Sequence, residues 1–236
     1  MKQASKEVLD SIRKLDSAII FNAVVEVLGG SQGGMELEDK GGQPENYTGP
    51  ELKCMLPQLG CAVGYAVTAE LTTHDSDSVA IPWDDHYEVL DETPGPIMFV
   101  MKDVDTRAGR GAALGDGMAT MYKMLGVTGV IIDGSTRDLK GIEKIALPVW
   151  ATGIVPGHGV LNFVRINSSI TVGRLRIHPG DLLVADDQGC TKIREDQDPE
   201  EVLRKALEIQ ATEQAFQAIF TKPDFDPSKW KEIENR

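Results

Sequence analysis

Residues 109–138 read GRGAALGDGMATMYKMLGVTGVIIDGSTRD, and this stretch decides how the rest of the chain is parsed. TGVIIDG (128–134) is an apolar, β-branched run of strand length. GDGMATMYKMLG (115–126) opens on glycines, carries helix formers and stops at Gly126, which predicts a helix. TRDLKGIEK (136–144) predicts a further short helix and LPVWATG (147–153) a further strand. Strand and helix therefore alternate, the pattern of an α/β core.

Working outward, CAVGYAVTAELTT (61–73) and PIMFVMKDV (96–104) read as strands, with a short helix, PWDDHYEVLDE (82–92), between them. Val8, Ile12 and Leu15 recur at helical spacing and predict a first helix. Asp16 or Ser17 caps a second, SAIIFNAVVEVLG (17–29), in which Asn22 needs a hydrogen-bonding partner if it is buried. Between Ile170 and Ile193 the turn signals Pro179-Gly180-Asp181 and Asp187-Gln188-Gly189 predict antiparallel strands. A last helix is expected over 199–220. The glycine-rich, polar segment 29–50 has almost no core-forming residues and predicts a long loop: a surface excursion, a lid or a subunit contact. No repeat or linker divides the chain, so residues 1–236 are read as a single domain.

Composition removes several function classes. With 41% hydrophobic and 26% charged residues the chain has the makeup of a globular protein. No apolar run approaches the roughly 20 residues needed to cross a bilayer. The N-terminus, MKQASKEVLDSIRKLD, lacks the apolar core of a signal peptide, so a cytoplasmic protein without membrane contact is expected. A formal net charge of −13 argues against nucleic acid as a partner. Cys54, Cys61 and Cys190 form no CxxC pair and are read as reduced thiols. His74, His86, His158 and His178 show no HxH or HExxH spacing, and no GxSxG is present.

The glycines at 109, 111, 115 and 117 do not fit GxGxxG, because position 114 is Leu, and no Gly-Lys-Ser/Thr follows. A glycine turn that starts a helix can still cradle a carboxylate, through unpaired N–H groups and the positive end of the helix dipole. It can equally be a tight turn with Asp116 as a cap. Arg137 and Asp138 lie just past the carboxyl end of the TGVIIDG strand, where α/β folds bind ligands. Arg137 would face the anion cradle, and Asp138 could bind a hard cation, since Mg²⁺ often takes only one or two protein carboxylates. In the last helix Glu213 occupies the gap in an apolar stripe made by Val202, Ala206, Ile209, Phe216 and Phe220. A carboxylate there is paired, near a metal, or at a helix edge.

On these residues the chain resembles the class II pyruvate aldolases of the 4-hydroxy-4-methyl-2-oxoglutarate and 4-carboxy-4-hydroxy-2-oxoadipate type, which share the fold of the regulator of ribonuclease activity A. The likeness runs from LDSAIIFNAV to the last helix and is strongest over 115–193, ending in HPGDLLVADDQGCTKI. Its most specific element is Asp116, twenty intervening residues, then Arg137-Asp138. The resemblance implies an RraA-like α-β-β-α sandwich with a mixed central sheet. It also implies an Mg²⁺- or Mn²⁺-dependent lyase acting on a small 2-oxo acid, with Asp138 on the metal and Asp116 holding its waters. Arg137 would grip the 2-oxo oxygen and carboxylate side, and the backbone around Leu114, Gly115, Asp116 and Gly117 would receive the carboxylate. Glu213 would come from a neighbouring subunit of a homotrimer or homohexamer.

Three departures touch the substrate pocket: Asn22-Ala23 for Asp-Ala, Asp85-His86 for Asp-Asn, and the longer 29–50 segment. Asp85 and His86 are therefore further candidate site residues. The same scaffold also leaves a non-enzymatic, ribonuclease-regulator-like interaction protein and a sugar-acid lyase or hydro-lyase as alternatives. The regulator lacks the Asp after the Arg, which is present here as Asp138.

Overall fold

In the computed structural model the alternating apolar residues of the long strands decide the layering. The structure describes residues 3–30, 46–222 and 225–226, so most of the 29–50 segment lies outside the described residues. Among the described residues the α-helices are α1 (Lys6–Ile12), α2 (Ser17–Val27), α3 (Asp85–Glu92), α4 (Asp116–Met124), α5 (Leu139–Ile145) and α6 (Pro199–Phe220). The strands are β1 (Lys53–Cys54), β2 (Ala62–Thr72), β3 (Ile97–Asp103), β4 (Ala112–Leu114), β5 (Val127–Thr136), β6 (Val149–Ile154), β7 (Asn162–Ile166), β8 (Ile170–Val172), β9 (Leu175–Ile177), β10 (Leu182–Asp186) and β11 (Gly189–Ile193).

The main sheet runs β1-β6-β5-β3-β2-β10-β11, with β4 on β5 and β7 on β2. β2, β3, β5 and β6 are parallel, whereas β1, β7, β10 and β11 pair antiparallel. The chain thus has the mixed α/β fold that the strand–helix alternation predicted. β4, β7 and the two-residue β1 were not predicted. β4 in particular reads as part of a glycine turn, because three residues are too few to show a period.

Because side chains alternate along a strand, one face of β2 points Val67, Ala69 and Leu71 into a core shared with α3, α4 and α5. On that same face Val63 and Tyr65 pack with Leu182 and Val184 against α1, α2 and α6. Ala62 and Ala66 point the other way and, with Met98, Val100, Ile131 and Trp150, are covered by the β8–β9 hairpin. Asp16 caps α2 as read from the sequence, its carboxylate accepting from Ile19 N–H at 2.7 Å. Asn22 is only half-buried, which relaxes its need for a protein partner. Among the described residues no helix is long and apolar enough to cross a membrane.

Candidate active site

The carboxyl ends of the parallel strands bring the two halves of the 109–138 stretch together. β4 runs parallel to β5, pairing Ala112 with Ser135 and Leu114 with Thr136. The Leu114 carbonyl accepts from Arg137 N–H at 3.0 Å and from the Thr136 hydroxyl at 3.1 Å. Leu114 is buried and anchors the turn from beneath, so the ligand-facing part of this segment begins at Gly115.

Gly115 is the N-cap of α4 and Asp116 its first residue. The helix takes up its hydrogen bonding with Ala119 N–H to the Gly115 carbonyl at 3.0 Å. The N–H groups of Asp116, Gly117 and Met118 precede that bond, in the part of a helix whose donors have no intrahelical acceptor. A Cβ on Gly117 would meet nothing within 4 Å, so the first turn is open above its backbone. Negative charge is favoured at this end of the dipole.

Arg137 and Asp138 stand over that turn. The Arg137 Nε lies 3.0 Å from Asp138 Oδ2, and the two side chains are 34% and 39% exposed, enough to reach a ligand. Asp138 is the N-cap of α5 but its carboxylate accepts no capping hydrogen bond; its backbone is left-handed, φ 58° and ψ 33°. Asp tolerates this conformation better than most residues, at a cost of about 1–3 kcal/mol. The strain turns its carboxylate back over α4.

Two glycines make room for the two acids. A Cβ on Gly115 would stand 2.9 Å from Asp138 Oδ2 and 3.1 Å from Arg137 Nε. A Cβ on Gly141, in α5, would stand 2.7 Å from Asp116 Cβ and 3.0 Å from its Cγ. Each helix start therefore carries a glycine under the other's aspartate. Gly141 escaped the sequence reading; its signal is a glycine inside a short helix, about 1 kcal/mol worse than alanine there. Lys123 of α4 closes the far end by donating to the Ala146 carbonyl at 2.8 Å.

The other candidates lie apart. Glu213 is half-buried on α6, which packs on α2 and α1 rather than on α4 or α5. The stripe predicted for α6 is buried at Val202, Ala206 and Ile209, then emerges, with Phe216 and Phe220 50% and 40% exposed. Asp85 opens α3. His86 is buried beneath it among Trp83, Tyr87, Tyr122 and Phe163. His158 is exposed and bonds the carbonyl of its neighbour Gly159, while its own carbonyl abuts Gly111.

A half-open cavity of about 370 Å³ lies elsewhere, between α1 and Gly95-Pro96. Among the described residues no three His, Cys, Asp or Glu converge to hold a metal. Asp116 and Asp138 offer hard carboxylate oxygens only. Such a pair fits Mg²⁺ or Mn²⁺ that keeps most of its water, and does not fit a zinc enclosed by protein ligands.

The RraA-like family model, described as Aldolase/RraA, matches residues 32–191. A protein of Halalkalibacterium halodurans named "Putative 4-hydroxy-4-methyl-2-oxoglutarate aldolase" is 31% identical over 155 residues, covering 65% of this chain and 69% of that protein. Among solved structures, an uncharacterized protein from Pseudomonas syringae superposes with TM-score 0.72 at 19% identity, covering 99% of this chain and 94% of its own. Streptomyces coelicolor RraAS2, described as an unusual member of the RNase ES inhibitor RraA family, superposes with TM-score 0.68 at 21% identity, covering 92% of this chain and 98% of its own. At those identities the two structures speak to the fold alone.

Proposed function

The chain belongs to the RraA-like Aldolase/RraA family, and from that membership we propose that it is a metal-dependent lyase cleaving 4-hydroxy-2-oxo acids to pyruvate and a second oxo acid. The observation that carries this reading is the clasp itself. Arg137 and Asp138 sit over Gly115, beside Asp116 and the open first turn of α4.

In this reading the N–H groups at the start of α4 receive the substrate carboxylate, and Arg137 donates to the 2-oxo oxygen. Asp138 would hold Mg²⁺ or Mn²⁺ directly, Asp116 through water, and Glu213 of a neighbouring subunit also through water. The cation's contribution is Lewis-acid polarisation of the 2-oxo group. As the C3–C4 bond breaks, its electron pair passes to C3 to give the pyruvate enolate. The 4-hydroxyl loses its proton to a water held at Asp116, and C4 becomes the carbonyl of the second product. Protonation at C3 then releases pyruvate. Donors aimed where charge develops are worth far more than donors in water. Oxaloacetate would lose CO₂ through the same enolate, so one site serves both reactions.

A homotrimer, or a hexamer built from two, would bring Glu213 of one chain to another chain's site and cover the exposed Phe216 and Phe220 of α6. The test is pyruvate release from a 4-hydroxy-2-oxo diacid and from oxaloacetate, with Mg²⁺ or Mn²⁺ and with chelator. Chelator-sensitive release from either supports the proposal. Release from neither, alongside retention of a ribonuclease in a pull-down, would replace it with a regulator-like role.

A further inference from the structure

Among the buried side-chain polar atoms without a hydrogen-bond partner, two belong to neighbouring rings. His86 on α3 is 1% exposed and Tyr122 on α4 is 0% exposed, with ring centroids 5.9 Å apart at 85°. His86 Nδ1 lies 2.5 Å from the Trp83 carbonyl. A carbonyl only accepts, so Nδ1 carries the proton and Nε2 presents a bare lone pair. That Nε2 has no hydrogen-bond partner, and neither has the Tyr122 hydroxyl. One is an acceptor and the other a ready donor. Leaving either unpaired forfeits its solvation with nothing in return. The surrounding rings offer no other polar partner on these faces: Phe163 stacks on His86 at 4.2 Å, Tyr87 lies at 3.9 Å, and Phe99 meets Tyr122 edge-on at 5.1 Å. A phenylalanine pair would fill such a cluster without polar atoms, so retaining both needs a reason.

We infer that His86 Nε2 and Tyr122 Oη form one buried hydrogen-bonded couple across a single water, and that this couple fixes α4 against α3. The water donates to the imidazole and accepts from the phenol, using the two complementary groups that such a molecule requires. Its consequence lies at the other end of α4. Asp116, Gly117 and Met118 form the first turn of the helix that Tyr122 holds down, so His86 and Tyr122 are positioning residues for that turn. The inference stands without the lyase reading, because none of its readouts is an activity.

The sign of a stability change tests it. If the two atoms were independent orphans, Tyr122→Phe would remove an unsatisfied group, and Tm would rise or stay level. In a couple, the same change strands His86 Nε2 and Tm falls. His86→Phe should likewise lower Tm, and the double variant should lose less than the sum of the two. ¹⁵N NMR of His86 supplies the second readout: Tyr122→Phe should move the Nε2 resonance toward that of a free lone pair and leave Nδ1 protonated. Amide exchange of Gly117 and Met118 should quicken severalfold in Tyr122→Phe. A Tm that does not fall, or an unmoved Nε2 resonance, overturns the couple; unchanged exchange at Gly117 and Met118 overturns the positioning role.

Discussion

Asp138 Oδ2 lies 2.9 Å from where a Cβ on Gly115 would stand, so the acid of one helix start occupies the space left by the glycine of the other. Gly115→Ala therefore pushes Asp138 and Arg137 outward without touching the core. Misplacing reacting groups by about 1 Å can cost on the order of 10²-fold in rate. We expect Gly115→Ala to lower pyruvate release by at least tenfold, with Tm nearly unchanged because both displaced side chains are partly exposed. Steady-state kinetics beside a thermal melt checks this; Gly141→Ala should displace Asp116 as well, and because its Cβ would stand 2.7 Å from Asp116 Cβ, it should also lower Tm.

Asp138 has two separable properties, a carboxylate and a left-handed backbone. Asn keeps the backbone preference and loses the charge, whereas Gly relieves the strain as well. Asp138→Asn should leave stability within about 0.5 kcal/mol, as surface changes usually do. Asp138→Gly should match it or gain slightly in denaturant midpoint. Both should lose stimulation by Mg²⁺ or Mn²⁺. Stimulation that survives in Asp138→Asn would remove the carboxylate from metal binding.

His86 makes a prediction about acid. Burial drives its pKa from 6.5 down to about 4, outweighing the opposing pull of the Trp83 carbonyl and of Asp84 and Asp85. The folded state therefore binds this proton less readily than the unfolded chain does. The stability is fully present above pH 6.5 and is lost as pH falls from there toward 4, by on the order of 3 kcal/mol. Urea midpoints between pH 7 and 4 should fall along this window, and His86→Phe should flatten the fall.

The thiols should be silent in the folded protein. Burial pushes Cys61 up to about 12, and Cys54 and Cys190 also upward. The thiolate is the reactive form, so an aromatic disulfide reagent at pH 8 should label the native chain slowly. Adding denaturant should release all three thiols at once. Fast labelling of the native protein would contradict the buried placement of Cys190.

Much of this was legible in the sequence, and the reasons differ by element. β2, β3 and β5 declare themselves because their apolar residues run long enough to show a strand. The Asp116 to Arg137-Asp138 spacing is legible because one helix and one strand of fixed length separate the two points. The clasp is not, because Gly141 is needed only once α5 folds back over α4, a contact between helix starts that no local period encodes. The burial of His86 is also hidden: beside Asp84 and Asp85 nothing local marks it as interior, yet helical rotation turns it inward while Asp84 stays exposed and Asp85 half-buried. The end of α6 shows the reverse. Its stripe is plain in the sequence, yet among the described residues Phe216 and Phe220 stay 50% and 40% exposed, meeting each other edge-on and, for Phe220, Phe225.

α6 packs on α1 and α2, and the clasp lies on α4 and α5, so none of these packings brings Glu213 to its own chain's site. If it serves a neighbour's, then Glu213→Gln and Arg137→Ala damage different halves of a shared site. Each homo-oligomer should be strongly impaired. Mixed and reassembled, some interfaces would pair an intact Arg137 with an intact Glu213, and pyruvate release should return to a sizeable fraction of the native rate. Phe216→Ser should weaken association, seen as a lower mass in solution, and should depress activity in a concentration-dependent way. Mixing that restores nothing, from variants shown to exchange subunits, would place Glu213 outside the site and leave the clasp to work with the residues of one chain.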